Sequence, residues 1–254
     1  MLKLKFNRTA KNILLSVGLI LFSSLAFSQV TLPTVNLGFK TTNNPTEVVN
    51  TIKLVLMMTI LTLAPAILIM MTGFTRILIV LSFLRQAMGV QQLPPNQLLV
   101  GLSLFLTFFV MGPAFTEINQ KSIQPYVAGT ISQEIAFDNA ITPLRRFMFS
   151  QTRDQDLGLF IKLSKIEQPK TRADVPTLVL IPSFIISELK TSFMIGFMIF
   201  LPFLIIDILA ASILMSMGMM MVPPIVLSLP FKIMLFVLVD GWSLLIGSMV
   251  KSFG

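Results

Sequence analysis

Neither cysteine nor histidine occurs among the 254 residues of this chain. Without cysteine there are no disulfides, no thiolate nucleophile and no thiolate metal site. Without histidine the commonest general base and the commonest metal ligand are both missing. A hydrolytic or redox centre would have to be built from carboxylates, lysine and hydroxyls alone, so the composition argues against an enzyme and implies no cofactor. Charge is scarce as well: 12% of the residues are charged, against about 25% in soluble domains. Hydrophobic residues make up 54% of the chain and the mean hydropathy is +0.86. The class that fits is an all-α integral membrane protein.

The net charge of +8 is partly a property of the N-terminus. Lys3, Lys5, Arg8 and Lys11 precede an apolar stretch from Ile13 to Phe27, and Ala26-Phe27-Ser28 then places small residues at the spacing of a cleavage site. A basic segment, a short apolar run and a small-x-small site describe a secretory signal peptide over residues 1–28. The apolar run is about 15 residues long, short of the roughly 20 that span hydrocarbon. Removing 1–28 takes away four positive and no negative charges, which leaves 15 basic against 11 acidic residues. That balance reflects loop charges, and the chain has no basic-aromatic patch suited to nucleic acid.

Charge density divides the rest. Residues 29–53 are polar and turn-prone, with Pro33, Gly38, Asn43, Asn44 and Pro45, and read as an external N-terminal segment leading into a helix. Residues 54–116 form N-terminal hydrophobic helices, interrupted by Arg76, Arg85 and Pro94-Pro95. Residues 117–190 hold most of the remaining charges and read as an extramembrane helical region. There Arg145, Arg146 and Asp138, and the run Arg153-Asp154-Gln155-Asp156, are either partner contacts or a solvated helical face. Residues 191–254 form a C-terminal helical hairpin. Arg76 and Arg85 in a short loop agree with the positive-inside bias.

The turn of that hairpin is Gly218-Met219-Met220-Met221-Val222-Pro223-Pro224. Methionine is unbranched and polarizable, so it seals irregular gaps and still yields to pressure. Three in a row, framed by Gly218, Pro223 and Pro224, form a bend that presents soft side chains to a shared space, or else a hydrophobic turn that merely fills gaps. Pro65, Pro113, Pro202 and Pro230 lie in or at the edges of apolar segments. Proline frees carbonyls that lipid cannot satisfy, so kinked helices of this kind pack against protein. Asp207, Lys232 and Asp240 sit deep in apolar sequence, where a lone charge costs at least about 2.5–3.5 kcal/mol. Counted from a bend near Val222-Pro223, Asp207 and Asp240 approach one another. Pairing of these charges across subunits, or exposure to a water-filled channel, is the economical account. A proton-coupled secondary transporter using intramembrane carboxylates is the rival.

Longer motifs narrow the choice. Pro182-Ser183-Phe184-Ile185-Ile186-Ser187-Glu188-Leu189-Lys190-Thr191-Ser192-Phe193, with Ile195-Gly196-Phe197, resembles the signature of the FliP family of flagellar export-gate proteins. So do Asp207-Ile208-Leu209-Ala210, the run Met217 to Pro224, and Leu229-Pro230-Phe231-Lys232 continuing to Asp240-Gly241-Trp242. Upstream, Pro65-Ala66-Ile67, Thr72-Gly73-Phe74-Thr75-Arg76, Leu84-Arg85-Gln86-Ala87 and Pro94-Pro95-Asn96-Gln97 resemble the family's N-terminal half. The likeness covers nearly all of residues 50–254.

That resemblance implies a fold of kinked helical hairpins assembling into a ring-like pentamer. It implies FliQ and FliR as partners in a tapering gate, with FlhA, FlhB and the basal-body ring around it. The place is the bacterial inner membrane, with much of the assembly on the periplasmic side. Unfolded flagellar subunits pass through the lumen, and the constricting ring maps onto Met219, Met220 and Met221. Arg76, Glu188, Lys190, Asp207, Lys232 and Asp240 are then expected as polar contacts between subunits or with FliR.

Overall fold

The computed structural model describes residues 45–90, 93–219 and 222–254. The signal peptide expected over 1–28, most of the segment expected over 29–53, and Met220 and Met221 lie outside the described residues. Among the described residues every regular element is helical. The chain divides after Leu54. The first unit contributes only the opening turns of α1 (Pro45–Met70) to the described residues. The second unit, Val55–Gly254, carries everything else.

In that second unit the remainder of α1 exposes Val55, Leu56, Met57, Ile60, Leu61 and Leu63. After a short break at Met71–Gly73 comes α2 (Phe74–Ala87), whose buried positions are Arg76, Ile77, Val80, Leu81, Leu84 and Ala87. Those spacings repeat with the period of a helix and make one continuous stripe. α3 (Asn96–Val110) is bent by 63° from the helix that follows, at Met111-Gly112-Pro113. Pro113 sits in the first turn of α4 (Gly112–Ile118), where its missing N–H costs nothing. A π-helical turn, Asn119–Ile123, then carries the chain into α5 (Gln124–Val127).

Ser132 opens α6 (Gln133–Gln151) by accepting from the N–H of Ile135 at 3.4 Å. α7 (Asp154–Ser164) follows, then a 3₁₀ turn at Arg172–Asp174 closed by a Thr171–Asp174 capping box. α8 (Thr177–Ser216) runs for 40 residues and contains Pro182 and Pro202. α9 (Pro224–Leu238) returns antiparallel to it, and α10 (Gly241–Lys251) leaves at 65°. Among the described residues, Val48–Met70 and Thr177–Ser216 are each long and apolar enough to cross a membrane, and the two bent pairs raise the number of such spans to as many as four.

The divide expected at residues 190 and 191 falls in the middle of α8, which continues without a break. The reason is local. The charge of Glu188, which marked the end of a polar region in the sequence, is buried and paired, so the helix has no cause to stop there.

Two apolar clusters hold the second unit together. One joins the α2 stripe to Leu99 of α3, Phe203 of α8, Phe236 of α9, and Leu245 and Met249 of α10. The other joins Met71 and Met111 to Leu144 and Met148 of α6, Leu157 of α7, and Val179, Leu180 and Phe184 of α8. Each fully buried leucine or isoleucine here contributes about 1.5–3 kcal/mol. Between the clusters, α8 presents small polar residues, Ser183, Ser187 and Ser192, all fully buried. Ser183 and Ser192 donate to the carbonyls of Val179 and Glu188 one turn back, at 2.7 and 2.6 Å. Satisfied this way, their short side chains let neighbouring helices come close without stranding a polar atom.

Candidate functional site

At the tip of the α8–α9 hairpin, backbone hydrogen bonds close the end of α8. Met217 caps α8, and Gly218 takes φ +75°, a conformation that costs glycine little. The Gly218 N–H donates to the Met215 carbonyl at 3.1 Å, and the Met219 N–H to the Leu214 carbonyl at 3.0 Å. This paired arrangement is a Schellman close, which satisfies carbonyls that the helix end would leave bare. Pro223 caps α9 and Pro224 occupies its first turn. Met215, Met217 and Met219 are exposed around this turn, as are Val222, Ile225 and Val226 beyond it. α8 therefore ends in a defined close at Gly218, with the thioether side chains of Met215, Met217 and Met219 exposed.

The buried charges form two centres, both inside the chain. In the first, Arg76 is 2% exposed and Glu188 is fully buried. Arg76 Nε donates to Glu188 Oε2 at 2.8 Å, and Nη2 donates to Glu188 Oε1 and to Gln151 Oε1, the latter at 2.9 Å. Nη1 donates to the Ser252 carbonyl at 2.9 Å and to Ser252 Oγ at 3.1 Å. All five N–H groups of the guanidinium thus have acceptors. The Phe253 ring lies 4.1 Å from the guanidinium carbon, a cation–π contact.

In the second centre Lys232, 3% exposed, donates to Asp207 Oδ2 at 2.6 Å and to the Ala87 carbonyl at 3.1 Å. Ser228 Oγ donates to Asp207 Oδ1 at 2.6 Å. One ion pair therefore links both arms of the hairpin to the end of α2. The sequence suggested Asp207 near Asp240, with pairing across subunits or exposure to a water-filled channel. The fold instead pairs Asp207 with Lys232, because the 65° turn after α9 carries Asp240 out of the antiparallel stretch. Asp240 and Lys190 are exposed.

The charges of residues 117–190 are largely spent within the fold. Arg145 donates to Thr177 Oγ1 at 2.5 Å and to the carbonyls of Ala173 and Val175, which ties the 3₁₀ turn to α6. Arg146 pairs with Glu117 at 2.8 Å. Asp156 bridges α7 and α8: it accepts from Arg153 Nη2 and from Ser187 Oγ, both at 2.6 Å. Burial alone would raise its pKa, but the bonds from Ser187 and Arg153 outweigh burial and hold it below the ordinary value of 3.8. A depressed carboxylate pKa stabilises the fold above its unfolded value, and that stabilisation is lost as pH falls through the folded one. Asp156→Asn is expected to flatten the loss of stability below about pH 4, measured by melting in detergent across a pH series. An unchanged acid slope would remove Asp156 from the account.

Sequence reasoning missed Gln151, Ser228, Ser252 and Phe253. Gln151 and the 252–253 pair lie 75 and 176 or more positions from Arg76, and no local pattern connects them. Ser228 stands one helical turn before Lys232, and that spacing was the available signal.

Comparison with known proteins places the chain among relatives of one kind. Residues 57–249 match the model of the FliP family. The flagellar biosynthetic protein FliP of Bacillus subtilis (strain 168) is 54% identical over 211 residues, covering 83% of this chain and 96% of that protein. The flagellar biosynthetic protein FliP of Pectobacterium carotovorum subsp. carotovorum is 54% identical, covering 80% and 78%. That of Aquifex aeolicus (strain VF5) is 46% identical, covering 92% and 97%.

Proposed function

Because the chain belongs to the FliP family of flagellar biosynthetic proteins, we propose that it is the pore-forming subunit of a flagellar export gate. In this reading five copies assemble with FliQ and FliR, beside FlhA and FlhB within the basal-body ring. They pass unfolded flagellar subunits from the inner membrane toward the periplasmic side. The observation that carries the reading is the hairpin tip, a bend locked at Gly218 that turns thioether side chains outward. Both arms are apolar and exposed on their outer faces, through Ile205, Ile208, Leu209 and Ile213 on α8 and Ile233, Met234 and Val237 on α9. Contiguous apolar surface of this kind suits contact with further protein or lipid.

The proposed mechanism is a gasket. Five copies of Met219, Met220 and Met221 ring the passage and block ions and small solutes at rest. A thioether changes rotamer cheaply and packs against almost any neighbour, so the ring closes around a moving chain of any sequence. Rigidity behind the ring comes from the Lys232–Asp207 pair, which fixes the arms. Lys190 and Asp240, being exposed, are the charges assigned to contacts with neighbouring subunits or FliR. Arg76, Glu188, Asp207 and Lys232 act first within their own chain. The proton-relay transporter is disfavoured by Asp207 itself, whose two oxygens are taken up by Lys232 and Ser228.

Replacing Met219, Met220 and Met221 together by alanine is expected to leave assembly intact. The resting leak of small ions, measured by conductance with export idle, should rise several-fold. A leak equal to the parent's would refute the gasket.

A further inference from the structure

The acceptors around Arg76 are supplied unequally. Three of its N–H groups are met by Glu188 and Gln151, and the other two by Ser252, beyond the last residue of α10. Phe253 covers the guanidinium face and stacks on Phe147, with ring centres 6.1 Å apart. Gln151 acts as an adaptor. Its oxygen accepts from Arg76 while its nitrogen donates to the Phe253 carbonyl at 2.9 Å. Gly73 completes the contact, because a Cβ at that position would lie 2.9 Å from the Phe253 ring. Every recognition element of a short peptide is present: two backbone carbonyls read by fixed donors, and an aromatic ring held between a cation, a second ring and a glycine.

We propose that Gly73, Arg76, Phe147 and Gln151 form a peptide-binding site specific for an aromatic residue, and that residues 252–254 occupy it as an intramolecular ligand. The site is charged, and the segment covering it is itself only partly buried, so vacancy costs the guanidinium two acceptors and its ring contact as water enters. A guanidinium that loses two bonds and its covering ring holds its neighbours less firmly. Docking of the tail is therefore coupled to the order of α2 and α6, and through Glu188 to α8.

The test uses a chain truncated after Lys251, in detergent, with and without an excess of the synthetic peptide Val-Lys-Ser-Phe-Gly. Amide hydrogen exchange is followed over residues 73–80 and 147–152. Truncation should speed exchange there by at least about tenfold. The peptide should restore protection, and the same peptide with alanine for phenylalanine should not. Exchange unchanged by truncation, or equal rescue by both peptides, overturns the proposal. Should the truncated chain not fold, the full-length variants decide. Phe253→Ala should speed exchange at the same residues while Phe253→Tyr stays close to the parent, and equal behaviour of the two overturns the proposal.

Discussion

Replacing Glu188 by alanine is expected to cost about 3–5 kcal/mol of stability, the range for removing one partner of a buried ion pair. The magnitude follows from what stays behind. The guanidinium is a donor-only group with no acceptor of its own, and at 2% exposure Arg76 has little access to water. Its Nε loses its acceptor at 2.8 Å, and Nη2 keeps only Gln151. Glu188→Gln should fall between the parent and Glu188→Ala, since an amide oxygen still accepts one bond. Changing both residues to apolar ones of similar volume should recover part of the loss, because no unpaired charge is left. Recovery stays incomplete, since Gln151 and Ser252 also lose a donor. Thermal melting of the four proteins in one detergent measures the coupling. Single replacements within about 1 kcal/mol of the parent would mean that the pair behaves as a solvated surface contact.

Asp207→Ala is expected to be more harmful than Lys232→Met, although the two residues share one bond. The difference lies in exposure: Lys232 is 3% exposed and Asp207 is 25% exposed. Without the aspartate, a buried ammonium keeps only the Ala87 carbonyl, a loss of about 3–5 kcal/mol. Without the lysine, Asp207 keeps the Ser228 hydroxyl and some water, and methionine refills the space left by the lysine stem. That change is expected to cost about 1–3 kcal/mol. Melting of both variants of the isolated chain in detergent checks the order. A reversal would show that Asp207 has less access to water than its own exposure indicates. Asp207→Asn separates structure from proton relay, because the amide keeps the Ser228 contact but carries no proton to pass on.

Much of the helical layout could be read from composition. Apolar runs free of charge became helices, and the prolines at 65, 202 and 230 lie inside them. The signal at Gly218 was legible as well, since a glycine between a helix and a double proline is the grammar of a helix end. The partners of the charges were not. Arg76 and Glu188 are 112 positions apart, and only tertiary packing brings them together. Asp207 and Lys232 could have been matched by counting from the helix ends. Asp207 precedes the α8 cap, Met217, by ten residues, and Lys232 follows the α9 cap, Pro223, by nine. Counting from the middle of the turn favoured Asp240, and the bend before α10 defeats that count. Residues 117–190 were least legible because their arginines bind carbonyls and hydroxyls far along the chain, as Arg145 does at Thr177.

The manner in which α8 ends has one more result. At the hairpin tip the amides of Gly218 and Met219 are already committed to Leu214 and Met215, while Pro223 and Pro224 have no amide hydrogen to offer. In the proposed gate, an unfolded polypeptide sliding past would carry a full row of main-chain donors and acceptors, ready to add itself as a strand wherever an edge invites it. None of these four positions has a free amide donor to give. At these positions an extended chain finds no donor to pair with, a property that suits the proposed passage.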